Sequence, residues 1–220
     1  MMFQRILLAG VAATLLAGGA SASSFTQVAN LGAAVGANSV AYANFNDASP
    51  ASLPGPTSYP SPGPSMTFIS SSNTLNRYDT TNYIDSNYVD GTKFIAPCEV
   101  FSGTGCSASG TLTISFGLGT MGFTLSADDF DTFGNHTFTA QAFNGSTLLG
   151  SLTTSSVADS GSSPAVLAAI SSTLITSVVI SDDTGAFVVG NVGAVPEPAS
   201  LALLGAGVAT MMGWRRRSRR

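Results

Sequence analysis

Charge is what this chain mostly lacks. Asp, Glu, Lys and Arg make up 9% of its 220 residues, against about 25% in ordinary soluble domains. Surface helices draw on Glu, Lys and Arg. Their shortage argues for β-structure and loops, which Ser, Thr, Gly and Asn populate here. Basic residues are scarcest in the body. Arg77 and Lys93 stand alone between residues 23 and 197, against twelve acidic residues, a net charge of −10. Nucleic-acid phosphates repel such a body, so DNA and RNA drop out as partners.

Histidine and tryptophan are nearly missing too. A Ser-His-Asp triad needs a histidine between nucleophile and carboxylate, yet His136 is the only one and no G-x-S-x-G elbow accompanies it. Following Asn135 at the start of a strand pattern, His136 reads as an exposed turn residue. A paired-carboxylate glycosidase is poorly served by a body whose single glutamate is Glu99 and whose sugar-stacking tryptophan is absent. The expectation is no catalytic residue, no metal and no cofactor. "SADDFDTFGN" does put Asp128, Asp129 and Asp131 within four residues, hard oxygen donors of the kind Ca²⁺ takes outside cells. The spacing departs from the EF-hand loop, so a solvated acidic loop is the preferred reading. Asp182-Asp183 reads as a turn at a strand end.

Cysteine is limited to Cys98 and Cys106, in "CEVFSGTGC". In an oxidising compartment the pair is expected to form a disulfide. The front of the chain indicates such a compartment. Arg5 supplies a positive n-region, Ile6 to Ala17 an apolar run of about 12 residues, and Ala20-Ser21-Ala22 a cleavage site. Residues 1–22 therefore read as a signal peptide for the Sec export machinery.

The other end concentrates what the body lacks. Ala199 to Trp214 carries no charge, and Arg215, Arg216, Arg217, Arg219 and Arg220 follow. As a helix the run spans about 24 Å, close to a bilayer core once arginine stems snorkel. Trp214 suits the interface, and the arginines act as a stop-transfer lock with the C-terminus in the cytoplasm. Pro196 and Pro198 hold the preceding residues extended, and Glu197 adds a charged handle. Val195-Pro196-Glu197-Pro198, a short apolar helix and an Arg-rich end together resemble the PEP-CTERM sorting signal of Gram-negative bacteria. That resemblance implies exosortase, a membrane-embedded cysteine protease, as a partner that recognises the motif and processes the tail. It also implies a transient stay in the inner membrane, then the cell envelope or the outside.

Between the addresses, residues 23–194 read as an exported body. Residues 50–64 hold six of the ten prolines and are expected to be a polyproline-like or irregular loop. "TLTISF" and "MGFTLSA" alternate as half-buried strands. "HTFTAQAFNGSTLLGSL" reads as a hairpin, with Phe138, Ala140 and Ala142 inward, Asn144-Gly145 turning, and Leu148 and Leu152 on the returning strand. "LITSVVIS" puts Val178 and Ile180 on one face, "GAFVVGNV" ends the body as a strand, and "AVLAAI" at Ala165–Ile170 is helix-like. The fold class is all-β, an antiparallel β-sandwich or jelly roll, flanked by the signal helix and the transmembrane helix. This succession is similar to the β-sandwich bodies common among PEP-CTERM proteins.

Two functions compete. The first is a non-enzymatic envelope or matrix protein associated with exopolysaccharide, whose glycan contacts would be Tyr78, Tyr83 and Tyr88 with nearby asparagines. The second is an exported hydrolase using Asp128, Asp131 or Glu99. A permanently anchored single-pass surface protein, its tail never cut, is a further option.

Overall fold

Hydroxyl and apolar residues alternate through much of the chain, and that alternation builds the fold. The computed structural model describes residues 24–36, 40–43, 45, 51–59, 65–72, 74–79, 93–97, 110–129, 136–155, 164–183 and 187–196. In chain order the elements are β1 (Phe25–Gln27), α1 (Leu31–Val35), β2 (Ala41–Tyr42), β3 (Ala51–Pro54), β4 (Thr57–Tyr59), β5 (Met66–Ser70), β6 (Thr74–Asp79), β7 (Lys93–Ala96), β8 (Leu112–Asp129), β9 (Thr137–Asn144), β10 (Thr147–Ser155), β11 (Ala165–Asp182) and β12 (Phe187–Ala194). The strands form one large antiparallel sheet in the order β10-β9-β11-β8-β12-β7-β6-β3. Strands β1, β2 and β5 add to β11, β12 and β8, and β4 adds to β5.

Strands β8 and β11, of 18 residues each, are its spine. Their two halves have different neighbours. The first half of β8 pairs with β5 and its second half with β12; β11 pairs with β1 early and with β9 late. Between the halves the register of the two strands shifts twice, at Ile170/Ile175 and at Ile175/Ser177. Bulges of this kind bend a strand and change which face a given parity serves. Accordingly β8 buries Leu112, Ile114 and Phe116, then Phe123, Leu125 and Ala127. Gly119, at φ +77°, takes a backbone conformation that a side chain would oppose.

Leu75 of β6 and Leu152 of β10 lie far apart in the strand order yet share one apolar cluster, so the sheet curls around its core. Phe138 and Phe187 meet there edge to face, 6.3 Å between ring centroids. Burying each such side chain fully contributes about 1.5–3 kcal/mol. A smaller cluster lies on the opposite face of the spine, where Leu31 of α1 joins Ala168 and Val195. Asn30 caps α1, its side-chain oxygen accepting the Ala33 N–H at 3.0 Å.

Several expectations need correction. "AVLAAI" is strand, the start of β11: Ala165, Leu167 and Ala169 face the main core while Ala168 faces the second cluster. With Val166, Ala168 and Ile170 of the other face apolar as well, no polar alternation remains to distinguish strand from helix. "TLTISF" and "MGFTLSA" belong to one bent strand. The proline-rich stretch contributes β3 and β4, and proline is tolerated in β3 because that strand ends the order. The hairpin turns at Gly145-Ser146, with Asn144 paired to Thr147. Gly145 has φ +57° and Ser146 is not among the residues of positive φ, as in a turn with glycine first rather than an Asn-Gly turn. A bulge between Leu148 and Gly150 leaves Leu148 exposed and Leu152 buried. Phe138, Ala140, Ala142, Val178 and Ile180 are all buried as expected.

The signal peptide, Cys98, Cys106, Tyr83, Tyr88, Glu99, Asp131, Glu197, Pro198, the apolar run and the arginine tail lie outside the described residues. Among the described residues no helix is long and apolar enough to cross a membrane.

Candidate functional site

Three features of the body merit a functional reading. The first is the outer face of the sheet. Inward parity on β9, β10, β5 and the adjoining halves of β8 and β11 commits the intervening residues to the outside. Register aligns them in rows. Ser151, Gln141, Val179, Thr113 and Ile69 form one, Thr153, Thr139 and Ser181 a second, and Leu148, Phe143, Ser177, Ser115, Thr67 and Ser58 a third. Within the third, the Ser58 and Thr67 hydroxyls lie 2.8 Å apart. The rows cross six strands, about 24 Å at ordinary strand spacing, and carry no charge.

The second feature is a cluster at the edge of this face. His136 immediately precedes β9, Asp182 ends β11 and Asp183 follows it. His136 Nδ1 is 3.6 Å from Asp182 Oδ2 and 3.6 Å from Asp183 Oδ1. The imidazole is buried, which corrects the expectation of an exposed turn residue. It is buried because Phe138 and the end of β11 draw the start of β9 into the sheet. Asp183 is clamped to Thr137, accepting its N–H at 3.2 Å through Oδ1 and donating its own N–H to the Thr137 carbonyl. A hydrogen bond from the Asp182 carboxyl, then the Thr137 N–H, and then the His136 charge hold the Asp183 carboxyl below its ordinary value. The three ligand atoms lie within 4.8 Å of one another. One imidazole nitrogen with two carboxylate oxygens is a donor set able to hold a divalent cation, and equally an ion-pair set that pins β9 to β11.

The third feature is the seat from which the C-terminal tail departs. Strand β12 carries a bulge between Gly190 and Gly193, and Asn191 sits in it at φ +47°, a conformation asparagine tolerates. The bulge switches parity. Phe187 and Val189 face the main core before it, Val192 and Ala194 after it, and Val195 falls on the opposite side against Leu31 and Ala168. Val195 prolongs the ladder: its N–H donates to the Gly122 carbonyl at 2.9 Å, and its carbonyl accepts the Met121 N–H at 3.2 Å. The buried Thr120 hydroxyl lies 2.6 Å from both the Val195 and the Gly122 carbonyl oxygens. With one proton to give, it is shared between them.

The residues singled out from sequence fare differently. Asp128 and Asp129 end β8 rather than forming a loop, and Asp128, paired with Val188, is buried. The solvated acidic loop is thus corrected for that residue, because β8 runs further than its polar end suggests. Tyr78 lies in β6 opposite Phe94. Val195 and Pro196 mark the seat. The hydroxyl-rich rows join residues of different strands and are not visible in any single one, although the alternating threonines of "TLTISF" and "TFTAQ" are their local signal.

Residues 194–217 match the PEP-CTERM protein-sorting motif. No curated protein and no solved structure matches the chain. The matched segment begins at Ala194, the last residue of β12, so the ladder and the signal overlap. The chain therefore carries near its C-terminus a PEP-CTERM protein-sorting motif, and that motif implies an exported, surface-sorted protein processed by exosortase.

Proposed function

We propose that this is a non-enzymatic protein of the cell envelope or extracellular matrix that associates with exopolysaccharide through the outer face of its sheet. The signal peptide hands it to the Sec machinery, the tail holds it briefly in the inner membrane with the arginines inside, and exosortase processes it. The body is read as a β-sandwich of jelly-roll type. One observation carries the reading: a broad, uncharged face on which hydroxyls and the Gln141 amide, centred on Thr139 and Thr113, stand among the apolar Val179, Ile69 and Phe143, in a body otherwise so acidic. Such groups exchange hydrogen bonds with sugar hydroxyls, and a face without carboxylates neither repels nor desalts an anionic polymer.

Purified mature protein, incubated with exopolysaccharide from its host, tests this. Retention is expected and should fall at least several-fold in Gln141→Lys/Thr139→Val, with turnover of neither polysaccharides nor esters. Equal retention by the variant rejects the face. Turnover rejects the non-enzymatic reading.

A further inference from the structure

We propose that the seat of Val195 is a stop for processing, with Thr120 as its positioning residue: it keeps the chain in the sheet through Val195 and confines cutting to bonds that follow it. This rests on the exosortase reading above and adds to it where the mature body ends and what sets that end.

A protease grips its substrate as an extended strand with a free backbone. At Val195 the backbone is not free. Its N–H is committed to Gly122, its carbonyl to Met121 and to the Thr120 hydroxyl, and its side chain lies beneath α1 with Leu31. One residue later the situation reverses. Pro196 has no N–H to commit, and the last backbone pairing among the described residues is that of Val195. The Pro-Glu-Pro segment follows Val195 directly in sequence, with no linker between them. The bulge at Asn191 contributes by setting the parity that puts Val195 under α1. Without that one-residue shift, Val195 would point to the other side of the strand.

Thr120 is the residue whose chemistry can be changed at least expense of shape. It is fully buried, and its hydroxyl ties the Val195 carbonyl, 75 residues away in sequence, to the Gly122 carbonyl beside it. Cutting here is peptide-bond hydrolysis: one water is consumed, the body gains a carboxylate and the tail an amine. The seat selects which bond, by withholding those upstream of Pro196.

The test uses the full chain expressed in a host with its exosortase, with the C-terminus of the mature protein read by mass spectrometry. The wild type and Thr120→Ser are expected to give one uniform end, at Val195 or beyond it. Thr120→Val is expected to give ends upstream of Val195 at least tenfold more often, with the body still melting cooperatively. A Thr120→Val end identical to that of the wild type overturns the stop, as does a wild-type end upstream of Val195. Hydrogen exchange on the wild-type chain answers without any variant: slow exchange at the Val195 amide supports the seat, and a free-chain rate overturns it. A Pro196→Ala/Pro198→Ala chain processed as well as the wild type instead overturns the sorting reading beneath the proposal.

Discussion

The Thr120 hydroxyl lies 2.6 Å from the carbonyl oxygen of Val195, joining the bend of β8 to the residue that follows β12. Both groups are buried, so the bond has no competing water. Replacing Thr120 by Val keeps the shape but removes the one proton the two carbonyls share and the oxygen that accepts the Gly122 N–H at 3.3 Å, while each carbonyl keeps its backbone donor. A loss of about 1–2 kcal/mol is expected, measured as a lower urea midpoint at unchanged slope. Thr120→Ser should recover most of it.

Asn191 holds φ +47° within β12. Asn191→Val should destabilise by about 1–3 kcal/mol, because a β-branched residue resists that region, whereas Asn191→Gly should be close to neutral. Denaturant midpoints of the two variants check the sign. A valine variant as stable as the glycine one would show that the bulge does not depend on residue 191.

Gly150 lies directly beneath the ring of Phe25, and a Cβ there would come within 2.2 Å of the ring. Gly150→Ala should therefore push Phe25 off β10 and loosen β1, at a loss of about 1–3 kcal/mol. Faster hydrogen exchange at Phe25–Gln27, with β9 still protected, is the expected pattern.

Asp183 has its carboxyl held below the ordinary value of 3.8 by the Asp182 hydrogen bond, the Thr137 N–H and His136. Its contribution to stability is fully present above that value and disappears as pH falls through the lower value of the folded state. Asp183→Asn should flatten this acid limb. The carboxylate is half exposed, so solvent screening keeps the effect below about 1 kcal/mol. Melting curves from pH 5 downward, variant against wild type, read it.

His136 and Asp182 are different, because both side chains are buried. His136→Ala removes the imidazole from beside a buried carboxyl and should cost about 1–3 kcal/mol. Thermal unfolding checks this, and Asp182→Asn in the same background should return part of the loss.

How much could be read in advance varied with the physics involved. Strand β9 and the late half of β11 were legible because one buried face leaves a period of two in the residues themselves, and β12, buried on both faces, through its β-branched run between glycines. The early half of β11 was not, since Val166, Ala168 and Ile170 on its other face are apolar too and leave no such period. The hairpin turn was misplaced by one residue, since Asn-Gly competes with Gly-Ser and only the cross-strand register decides. Of the candidate sites, the sorting motif was legible, being a local and contiguous signal. The outer face was not, because its rows join residues from strands far apart in the chain.

The sequence by itself determined the segregation of charge, the predominance of strand and the sorting motif, for these follow from composition and from neighbouring residues. Only the tertiary structure decided that His136 and Asp128 are buried, that uncharged, hydroxyl-rich rows align across the sheet, and that Val195 is the last rung among the described residues. Each of these depends on bulges and long-range pairing, where a shift of one residue exchanges inside for outside.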